Sequence, residues 1–333
     1  MKHIFIVNPK SGKKDSTEYI KSFLEKNYSN LDYEVYNTTG VGDATDYVKK
    51  LCDNKTDSLT FYACGGDGTL NEVVNGIYGY DNVYITAYPC GSGNDFIKVF
   101  GQENYFKDLN NIINGESRTI DILKINDRLC INMCNLGFDG AVANNVTKFK
   151  KLPLVSGKGA YNLSLVYTLI FGMKHKCKVH MDDELIYDGN ILLSAVGNGL
   201  CCGGGYYCLP KADIEDGLID AVTIKKISRY TFMGMVGKYK KGTYLEDKKY
   251  EKILKFRQCK KFVLEAEKEI PYCIDGECSK AKKITISIIK KAINFIVPKQ
   301  YAVKWLLDKK WQKAYNMNIY LRRIIICLKK FKI

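Results

Sequence analysis

Three short segments combine closely spaced glycines with polar and charged side chains, and the richest is Cys64-Gly65-Gly66-Asp67-Gly68-Thr69-Leu70-Asn71-Glu72. Three glycines in four positions let the backbone approach a ligand where a Cβ would collide with it. Thr69 and Glu72 have the spacing of a capping box, which predicts a helix that starts at Thr69 and turns its free amides toward a phosphate. A tight turn alone would explain the glycines but not the acid. We therefore interpret Asp67 as a partner for a metal ion or its waters.

Two further segments of this kind lie on either side of it in the sequence. Asn8-Pro9-Lys10-Ser11-Gly12-Lys13 follows a short apolar run and can offer amides to a phosphate. The chain has no GxxxxGKS/T motif, however, and an ordinary turn explains this segment equally well. Pro89-Cys90-Gly91-Ser92-Gly93-Asn94-Asp95-Phe96 contains Asp95, which is either a second carboxylate beside the metal or the N-cap of a following helix. On these residues alone, both alternatives stay open.

The elements that would position these segments alternate along the first part of the chain. Apolar runs at 3–7, 33–36, 59–63 and 83–88 predict strands, and helical spacing at 17–26, 44–52 and 69–77 predicts helices between them. This order predicts a parallel sheet covered by helices, in which ligands bind at the carboxyl ends of the strands. The three glycine-bearing segments follow three of those ends.

The pattern changes after about residue 122. Short β-like runs at 129–134, 177–181, 190–196, 217–225, 261–265 and 283–289 are interrupted by one clear helical stretch at 160–171. The apolar stretch 159–173 is shorter than the roughly 18 residues of a spanning helix and predicts a core helix or one at an interface. We predict an α/β domain over 1–122, a mainly antiparallel β-rich domain over 123–290, and a return of 291–298 to the first domain.

Residues 299–333 form a third region. They contain ten basic residues and one acidic residue, and so carry +9 of the formal net charge of +15. Both tryptophans, Trp305 and Trp311, lie here at mostly helical intervals with Tyr315. We favour a basic amphipathic helix on an anionic membrane, with a solvated helix packed on the body as the alternative. No nucleic-acid-binding motif appears, so we disfavour nucleic acid as the partner.

The cysteines and histidines predict neither a disulfide framework nor a zinc centre. Thirteen cysteines are scattered along the chain, and the N-terminus lacks the apolar region of a signal peptide, so we expect free thiols in a reducing cytoplasm. His175, Cys177 and His180 lie close in sequence without an obvious fourth ligand. Neighbouring Cys201 and Cys202 invite redox or thiophilic-metal chemistry, although small residues in a loop are the simpler interpretation.

Taken together, the motifs resemble the catalytic domain of the diacylglycerol kinases, and more closely the soluble bacterial lipid kinases of that type. The resemblance extends over 8–298 and rests on Gly65-Gly66-Asp67-Gly68-Thr69 and Gly91-Ser92-Gly93-Asn94-Asp95, with further motifs at 38–44, 71–76, 121–122, 196–199, 216–220 and 275–277. It implies an N-terminal nucleotide-binding α/β domain, a C-terminal β-sandwich-like lipid-substrate domain, and an active site in the cleft between them. The loop 200–208 departs from the family pattern, which bears on the acceptor more than on the activity.

The resemblance also implies roles for individual residues, carried over position by position. ATP would be held by Asn8, Pro9, Lys10, Ser11, Gly12, Thr38, Gly65, Gly66, Asp67, Gly68, Thr69, Leu70, Asn71 and Ser92. The catalytic Mg²⁺ and its waters would be oriented by Asp67, Asp95 and Asp121. A second, structural Mg²⁺ would be bound by the Asp216 carboxylate and the main-chain carbonyls of Asp213 and Leu218. Glu277 would be the general base, although Asp275-Gly276-Glu277 without the resemblance is a plain β-turn.

These expectations give a leading function and its alternatives. The leading function is an ATP-dependent lipid kinase that phosphorylates a lipid hydroxyl, with diacylglycerol preferred over phosphatidylglycerol, a prenol or a sphingoid base. The alternatives are an NAD kinase, which shares the Gly-Gly-Asp-Gly-Thr segment, and a non-catalytic nucleotide- or lipid-binding regulator. We expect a cytoplasmic enzyme on the inner face of the membrane, whose partners are its lipid substrate and anionic lipids. A homodimer is an open alternative.

Overall fold

The computed structural model describes residues 1–12, 14–54, 57–149, 157–299 and 301, so the predicted amphipathic tail lies almost entirely outside the described residues. The strands are β1 (Lys2–Val7), β2 (Tyr33–Asn37), β3 (Leu59–Gly65), β4 (Val83–Pro89), β5 (Glu116–Ile125), β6 (Arg128–Cys130), β7 (Met133–Gly137), β8 (His175–Met181), β9 (Glu184–Gly197), β10 (Ile219–Lys225), β11 (Leu254–Cys259), β12 (Lys261–Ile274) and β13 (Glu277–Val297). The helices are α1 (Thr17–Asn27), α2 (Asp43–Asp53), α3 (Asp67–Ile77), α4 (Asn104–Lys107), α5 (Leu109–Ile113), α6 (Phe138–Phe149), α7 (Gly157–Phe171) and α8 (Arg229–Lys241), with short 3₁₀ helices at Phe96–Phe100, Thr243–Glu246 and Lys248–Tyr250.

The first part of the chain is the α/β layer that the alternating pattern predicts. Its strands lie in the order β4-β3-β1-β2 and are all parallel. The central strand β3 is buried along its whole length, as expected of a strand covered on both faces. Their carboxyl ends therefore lie along one edge of the sheet, where the glycine-bearing segments follow.

Helix α3 begins at Asp67, two residues before the predicted start at Thr69. Its N-cap is Gly66, which has extended backbone and no side-chain cap. The capping box was therefore the wrong prediction, because Thr69 already lies inside the first turn. Its hydroxyl instead accepts a hydrogen bond from the Asn8 amide (3.4 Å).

The second part of the chain is mainly antiparallel. Strands β11, β10, β9, β7, β12 and β13 follow one another in the sheet, and β8 pairs with both β9 and β12. Among the described residues this part contains α6 and α8 as well as α7, so the prediction of one helical interruption was wrong. Both missed helices contain glycine, and α6 also has a β-branched run, so their intrinsic propensity is weak. Burial stabilises α8, through Phe232, Met235 and Tyr239.

One long strand connects the two parts. β13 runs for 21 residues and pairs antiparallel with β12 and β5. Near its end it pairs parallel with β4, where Asn294 lies opposite Tyr84 and Phe295 opposite Ile85. The Phe295 ring is fully buried and contacts Phe100 at a centroid distance of 5.3 Å. β13 thus belongs to the β-rich part at one end and to the α/β core at the other.

Among the described residues, no helix combines the length and the apolar character needed to cross a bilayer.

Candidate active site

The three glycine-bearing segments meet at the carboxyl ends of β1, β3 and β4, so close that side chains are excluded between them. A Cβ added at Gly91 would lie 2.6 Å from the Cα of Gly66, and one at Gly12 would lie 2.4 Å from the Cys90 carbonyl oxygen. Gly12 also has φ +85°, a left-handed conformation that favours glycine. The structure therefore brings together the first, second and third predicted loops as one backbone surface.

Gly68 differs from its neighbours because the protein itself leaves room for a side chain. A Cβ at Gly65 would lie 2.2 Å from Thr69 Oγ1, whereas a Cβ at Gly68 would meet no atom within 4 Å. Gly68 is also the second residue of α3, whose first-turn amides have no intrahelical acceptor. Packing does not account for a glycine here, but close approach of an anion to those amides would.

Asp67 and Asp95 lie together beneath this surface. Asp67 Oδ1 accepts hydrogen bonds from the amides of Asp95 (2.7 Å) and Phe96 (3.1 Å). A Cβ added at Gly93 would lie 3.0 Å from Asp67 Oδ2 and 3.5 Å from Asp95 Oδ2, so the two carboxylates flank one glycine. Burial raises the pKa of Asp67, and the nearby Asp95 charge raises it further. Two adjacent carboxylates of this kind fit a hard divalent cation such as Mg²⁺.

The Asp95 carboxylate also connects this pair to the loop that departs from the family pattern. It forms an ion pair with Lys98, and Oδ2 accepts a hydrogen bond from the Gly204 amide (2.8 Å). Asp95 occupies the N-cap position of the 3₁₀ helix Phe96–Phe100, but its side chain forms no capping hydrogen bond there. The loop 201–208 therefore reaches the site directly.

Two cysteines of this loop lie side by side, and a third, Cys201, is a poor nucleophile. Cys202 Sγ lies 2.8 Å from Cys208 Sγ, and both thiols lie within 4.8 Å of an Asp139 carboxylate oxygen. Burial raises the pKa of Cys201 to about 12, which keeps that thiol protonated at neutral pH. The Cys201 carbonyl accepts a hydrogen bond from the Asn132 amide (2.9 Å), which fixes the start of the loop.

Asp275 anchors the tight turn between β12 and β13 and was not among the predicted site residues. Asp275 and Gly276 have φ +44° and +94°, as in the two-residue hairpins that Asp-Gly favours. The buried carboxyl accepts hydrogen bonds from the amides of Ile131 (3.0 Å) and Met133 (3.1 Å). Burial raises its pKa to about 6, and the Asp67 charge adds to this effect. The Asp-Gly pair was the available signal, since it predicted a turn but not the amides that face it.

Asn71, predicted to bind ATP, lies between α3 and this turn. Its side chain is buried, and its amide donates to Asp275 Oδ2 (3.2 Å) and to the Leu129 carbonyl (3.3 Å) in the orientation that satisfies both acceptors. It thereby ties the first helix after the glycine-rich loop to the turn that carries Glu277.

Glu277, the predicted general base, directly follows the turn. Its side chain is 42 % exposed and forms an ion pair with Arg128, the first residue of β6. This hydrogen bond raises the pKa of Arg128. No signal in the sequence pointed to Arg128 as the partner of Glu277, since 149 residues separate the two. In this conformation the Glu277 carboxylate is held by the guanidinium and reaches solvent.

Asp121 occupies a different position from the other two predicted magnesium residues. It is buried, and its carboxylate accepts hydrogen bonds from the amides of Gly217 and Lys291, both at 2.7 Å. These contacts fix the loop before β10 against β13. The structure thus joins Asp121 to the loop of the predicted structural magnesium site, whereas it joins Asp67 to Asp95.

That loop concentrates carboxylates. Burial raises the pKa of Asp216, and the charges of Asp213 and Asp121 raise it further. Asp216 Oδ1 accepts from the Leu218 amide (2.9 Å), and Asp213 Oδ1 from the Glu215 amide (3.0 Å). Mutual repulsion among these acids fits a bound cation, which would relieve it.

The remaining predicted nucleotide residues lie around the same strand ends. The Thr38 amide donates to the Val7 carbonyl (2.8 Å), which places Thr38 beside the first loop. The Lys10 amide donates to Asn8 Oδ1 (3.0 Å), which closes a turn at that loop. The other predicted positions belong to the three loops or to the first turn of α3, namely Pro9, Ser11, Leu70 and Ser92.

Comparison with known proteins identifies this arrangement. Residues 2–125 match the model of the diacylglycerol kinase catalytic domain, and residues 132–297 match that of the YegS C-terminal NAD kinase β-sandwich-like domain. The chain belongs to the diacylglycerol kinase catalytic domain family. It is therefore a kinase of a lipid kinase family, with a catalytic α/β domain followed by a β-sandwich-like domain.

Individual relatives of this diacylglycerol kinase family member extend over most of its length. A diacylglycerol kinase of Bacillus subtilis is 27 % identical over 302 residues, which are 89 % of this chain and 96 % of the relative. A Shewanella frigidimarina protein named "Probable lipid kinase YegS-like" is 29 % identical over 240 residues, 70 % of this chain and 75 % of the relative. A Bacillus anthracis protein of solved structure, described as a putative diacylglycerol kinase, is 25 % identical in sequence, and the two structures align with a TM-score of 0.67 over 89 % of this chain and 96 % of that one.

Proposed function

We propose that this kinase transfers the γ-phosphate of ATP to the hydroxyl of a membrane lipid, with diacylglycerol as the acceptor and phosphatidic acid as the product. The observation that carries the proposal is the Asp67–Asp95 pair, which lies where the three glycine-bearing loops meet. The charge of Asp67 also acts on the carboxyl of Asp275, in the turn that directly precedes Glu277. Phosphoryl transfer needs these elements together, namely amides for the phosphates, carboxylates for a metal ion and a base for the acceptor.

Mg²⁺ would be held by Asp67 and Asp95. When bound, it would neutralise charge on the transferred phosphoryl group. The raised pKa of Asp67 supports this assignment, since an adjacent cation would favour the ionised form of that carboxyl. Lys98 forms an ion pair with Asp95 and adds a positive charge beside the two carboxylates.

The protein's own groups would bind ATP and remove the acceptor proton. The free amides at the start of α3 and in the loops at Gly12 and Gly91 orient the phosphates. Glu277 accepts the proton of the lipid hydroxyl as that oxygen attacks the γ-phosphate. To do so its carboxylate leaves Arg128, an exchange that is inexpensive for an exposed ion pair.

A second cation would stabilise the loop before β10. The Asp216 carboxylate and the carbonyls of Asp213 and Leu218 would hold it, next to the Asp121 carboxylate that anchors this loop. This role is structural, because it fixes β10 against β13 and supplies no reacting group.

We further propose that the enzyme works on the cytoplasmic face of the membrane and that the basic tail contributes to its attachment. The support is the charge of +9 and the two tryptophans within residues 299–333. Deleting these residues should weaken binding to anionic vesicles while turnover on detergent-solubilised substrate is kept. Unchanged vesicle binding after the deletion would contradict the role of the tail.

The test of the function is a labelled γ-phosphate transfer assay with Mg²⁺, in which pure diacylglycerol, a mixed lipid extract and NAD are offered in parallel. We expect label in the lipid phase, and chromatography of the product identifies the acceptor. Label on NAD alone would overturn the proposal in favour of an NAD kinase. Absence of transfer to all three would favour a nucleotide- or lipid-binding regulator.

A further inference from the structure

Helix α7 has one buried side and one exposed apolar side. Ala160, Ser164 and Thr168, spaced four residues apart, are buried toward α6. Ser164 Oγ donates to the Val142 carbonyl (2.6 Å), and the Asn145 amide donates to Thr168 Oγ1 (3.3 Å). These small and hydroxylated residues pack the helix on its neighbour and fix which side faces outward.

The outward side of α7 is a continuous stripe of large apolar residues. They follow helical spacing and are each between 44 % and 72 % exposed, namely Leu163, Val166, Tyr167, Ile170 and Phe171. Scattered exposed hydrophobic residues are ordinary, but a complete stripe at i, i+3, i+4, i+7 and i+8 is typical of a binding surface.

The start of α8 extends this stripe. Arg229 donates to the carbonyls of Leu169 (3.0 Å) and Ile170 (2.8 Å), which holds α8 against the end of α7. The next residues on the outer side of α8 are Tyr230, 92 % exposed, and Met233, 62 % exposed. We call the stripe and these two residues the α7–α8 face.

The segments that form and flank the α7–α8 face are rich in basic residues. From position 140 to position 181 the sequence contains seven lysines and no acidic residue, and α8 contains four basic residues and no acidic one. Lys176 and Lys178 pair with acids of neighbouring strands, whereas Lys148 and Lys174 are exposed at the ends of α6 and of the α7 segment. An apolar centre with a basic rim is complementary to an anionic bilayer surface, where apolar side chains insert and lysines meet the headgroups.

We propose that the α7–α8 face is the surface by which this enzyme docks on an anionic lipid bilayer. The proposal rests on the proposed function, since a lipid acceptor requires the active site to reach a membrane. Tyr167 and Tyr230 supply amphipathic aromatic side chains of the kind that favour the headgroup level, and Phe171 supplies an apolar side chain that can insert below it. The face also connects to the active site, because α6, on which α7 packs, begins beside Cys202 and Cys208, whose loop contacts Asp95.

The test compares two matched substitutions in the full-length chain. Ile170 in the α7–α8 face and Leu185 at the start of β9 are both aliphatic and both 50 % exposed. The assay is cosedimentation with vesicles of phosphatidylcholine that contain about 30 % phosphatidylglycerol, and it is applied to wild type, Ile170→Asp and Leu185→Asp. This anionic content gives the vesicles a substantial negative surface potential. We expect the vesicle affinity of Ile170→Asp to be at least roughly tenfold weaker than that of wild type. The vesicle affinity of Leu185→Asp should equal that of wild type. Val166→Asp serves as a second variant in the same face.

Two further measurements separate this proposal from its alternatives. Turnover on a short-chain diacylglycerol, offered as monomers in solution, should be equal in all variants, because no docking is needed there. Equal vesicle binding of wild type, Ile170→Asp and Val166→Asp would overturn the proposal. The proposal would also be overturned if sedimentation velocity showed a dimer that Ile170→Asp and Val166→Asp both dissociate without changing vesicle binding. The face would then bind a second copy of the chain. If no lipid is phosphorylated by the wild type, the proposed function fails, whereas the vesicle comparison still reports on the face.

Discussion

Replacing Gly68 by alanine should distinguish a glycine required for folding from a glycine required for ATP binding. A Cβ here meets no protein atom within 4 Å, and the residue lies in the first turn of α3 with no left-handed φ. The substitution should therefore leave the fold intact and, through helix propensity, stabilise it by up to about 1 kcal/mol.

The expected loss is in nucleotide affinity. A methyl carbon placed about 1.5 Å from the Cα holds a phosphate oxygen at least about 3.3 Å away from itself, whereas an amide hydrogen bond needs about 2.9 Å between nitrogen and oxygen. The phosphate must then give up one or more charge-assisted hydrogen bonds to the loop amides, at about 1.5–3 kcal/mol each. ATP affinity should fall by roughly tenfold or more.

The assay is ATP binding by calorimetry, together with the thermal midpoint of each variant. Gly237→Ala in α8 is the matched control, because its Cβ also meets no atom within 4 Å and it lies in a helix away from the glycine-rich loops. Both variants should be at least as stable as the wild type, and only Gly68→Ala should lose ATP affinity. ATP affinity within twofold of wild type in a stable Gly68→Ala protein would refute the close approach of the phosphates to this turn.

Three other substitutions test separate parts of the structure. Glu277→Gln should lower turnover by about a hundredfold or more and keep ATP binding, and near-normal turnover would remove Glu277 from the role of base. Burial raises the pKa of Asp139 to about 6, so the stability from its protonated form is present below about pH 4 and lost as the pH rises through 6. The free energy of unfolding of Asp139→Asn in urea should exceed that of wild type by about 1–3 kcal/mol between pH 4 and 7, because Asn can keep the Tyr239 hydrogen bond. Asp247→Asn should instead be less stable than wild type, because Lys238 lowers the pKa of Asp247. Phe295→Ala should lower the free energy of unfolding by about 3–5 kcal/mol, and the whole chain should still unfold in a single transition. Two separate transitions would contradict a core shared by the two parts of the chain.

The first part of the fold follows from local signals in the sequence. Apolar strands followed by glycine-bearing loops are visible without any knowledge of the partner strands, and parallel pairing then places the loops of Gly12, Gly66 and Gly91 together. The start of α3 was misplaced because Gly66 acts as an N-cap with its backbone alone, which a side-chain pattern cannot indicate.

The second part depends on contacts distant in sequence. The predicted runs at 261–265 and 283–289 are only fragments of β12 and β13, because alternating charged residues hide strands that are exposed on one face. Asp121 illustrates the same limit at the site, since its two amide partners are 96 and 170 residues away. The residue types predicted metal-binding chemistry, but only the fold determines which carboxylates lie next to one another.

The long strand β13 has a consequence for how the protein is made. β4 pairs with β13 through Asn294 and Phe295, and the Phe295 ring packs into the α/β core on Phe100. During synthesis from the N-terminus, the nucleotide-binding half therefore leaves the ribosome about 170 residues before the segment that completes its sheet, at an elongation rate of about 5–20 residues per second. For that interval β4 is an unpaired edge, which exposes the nascent chain to aggregation. Translation past residue 297 thus completes both halves of the kinase in one step.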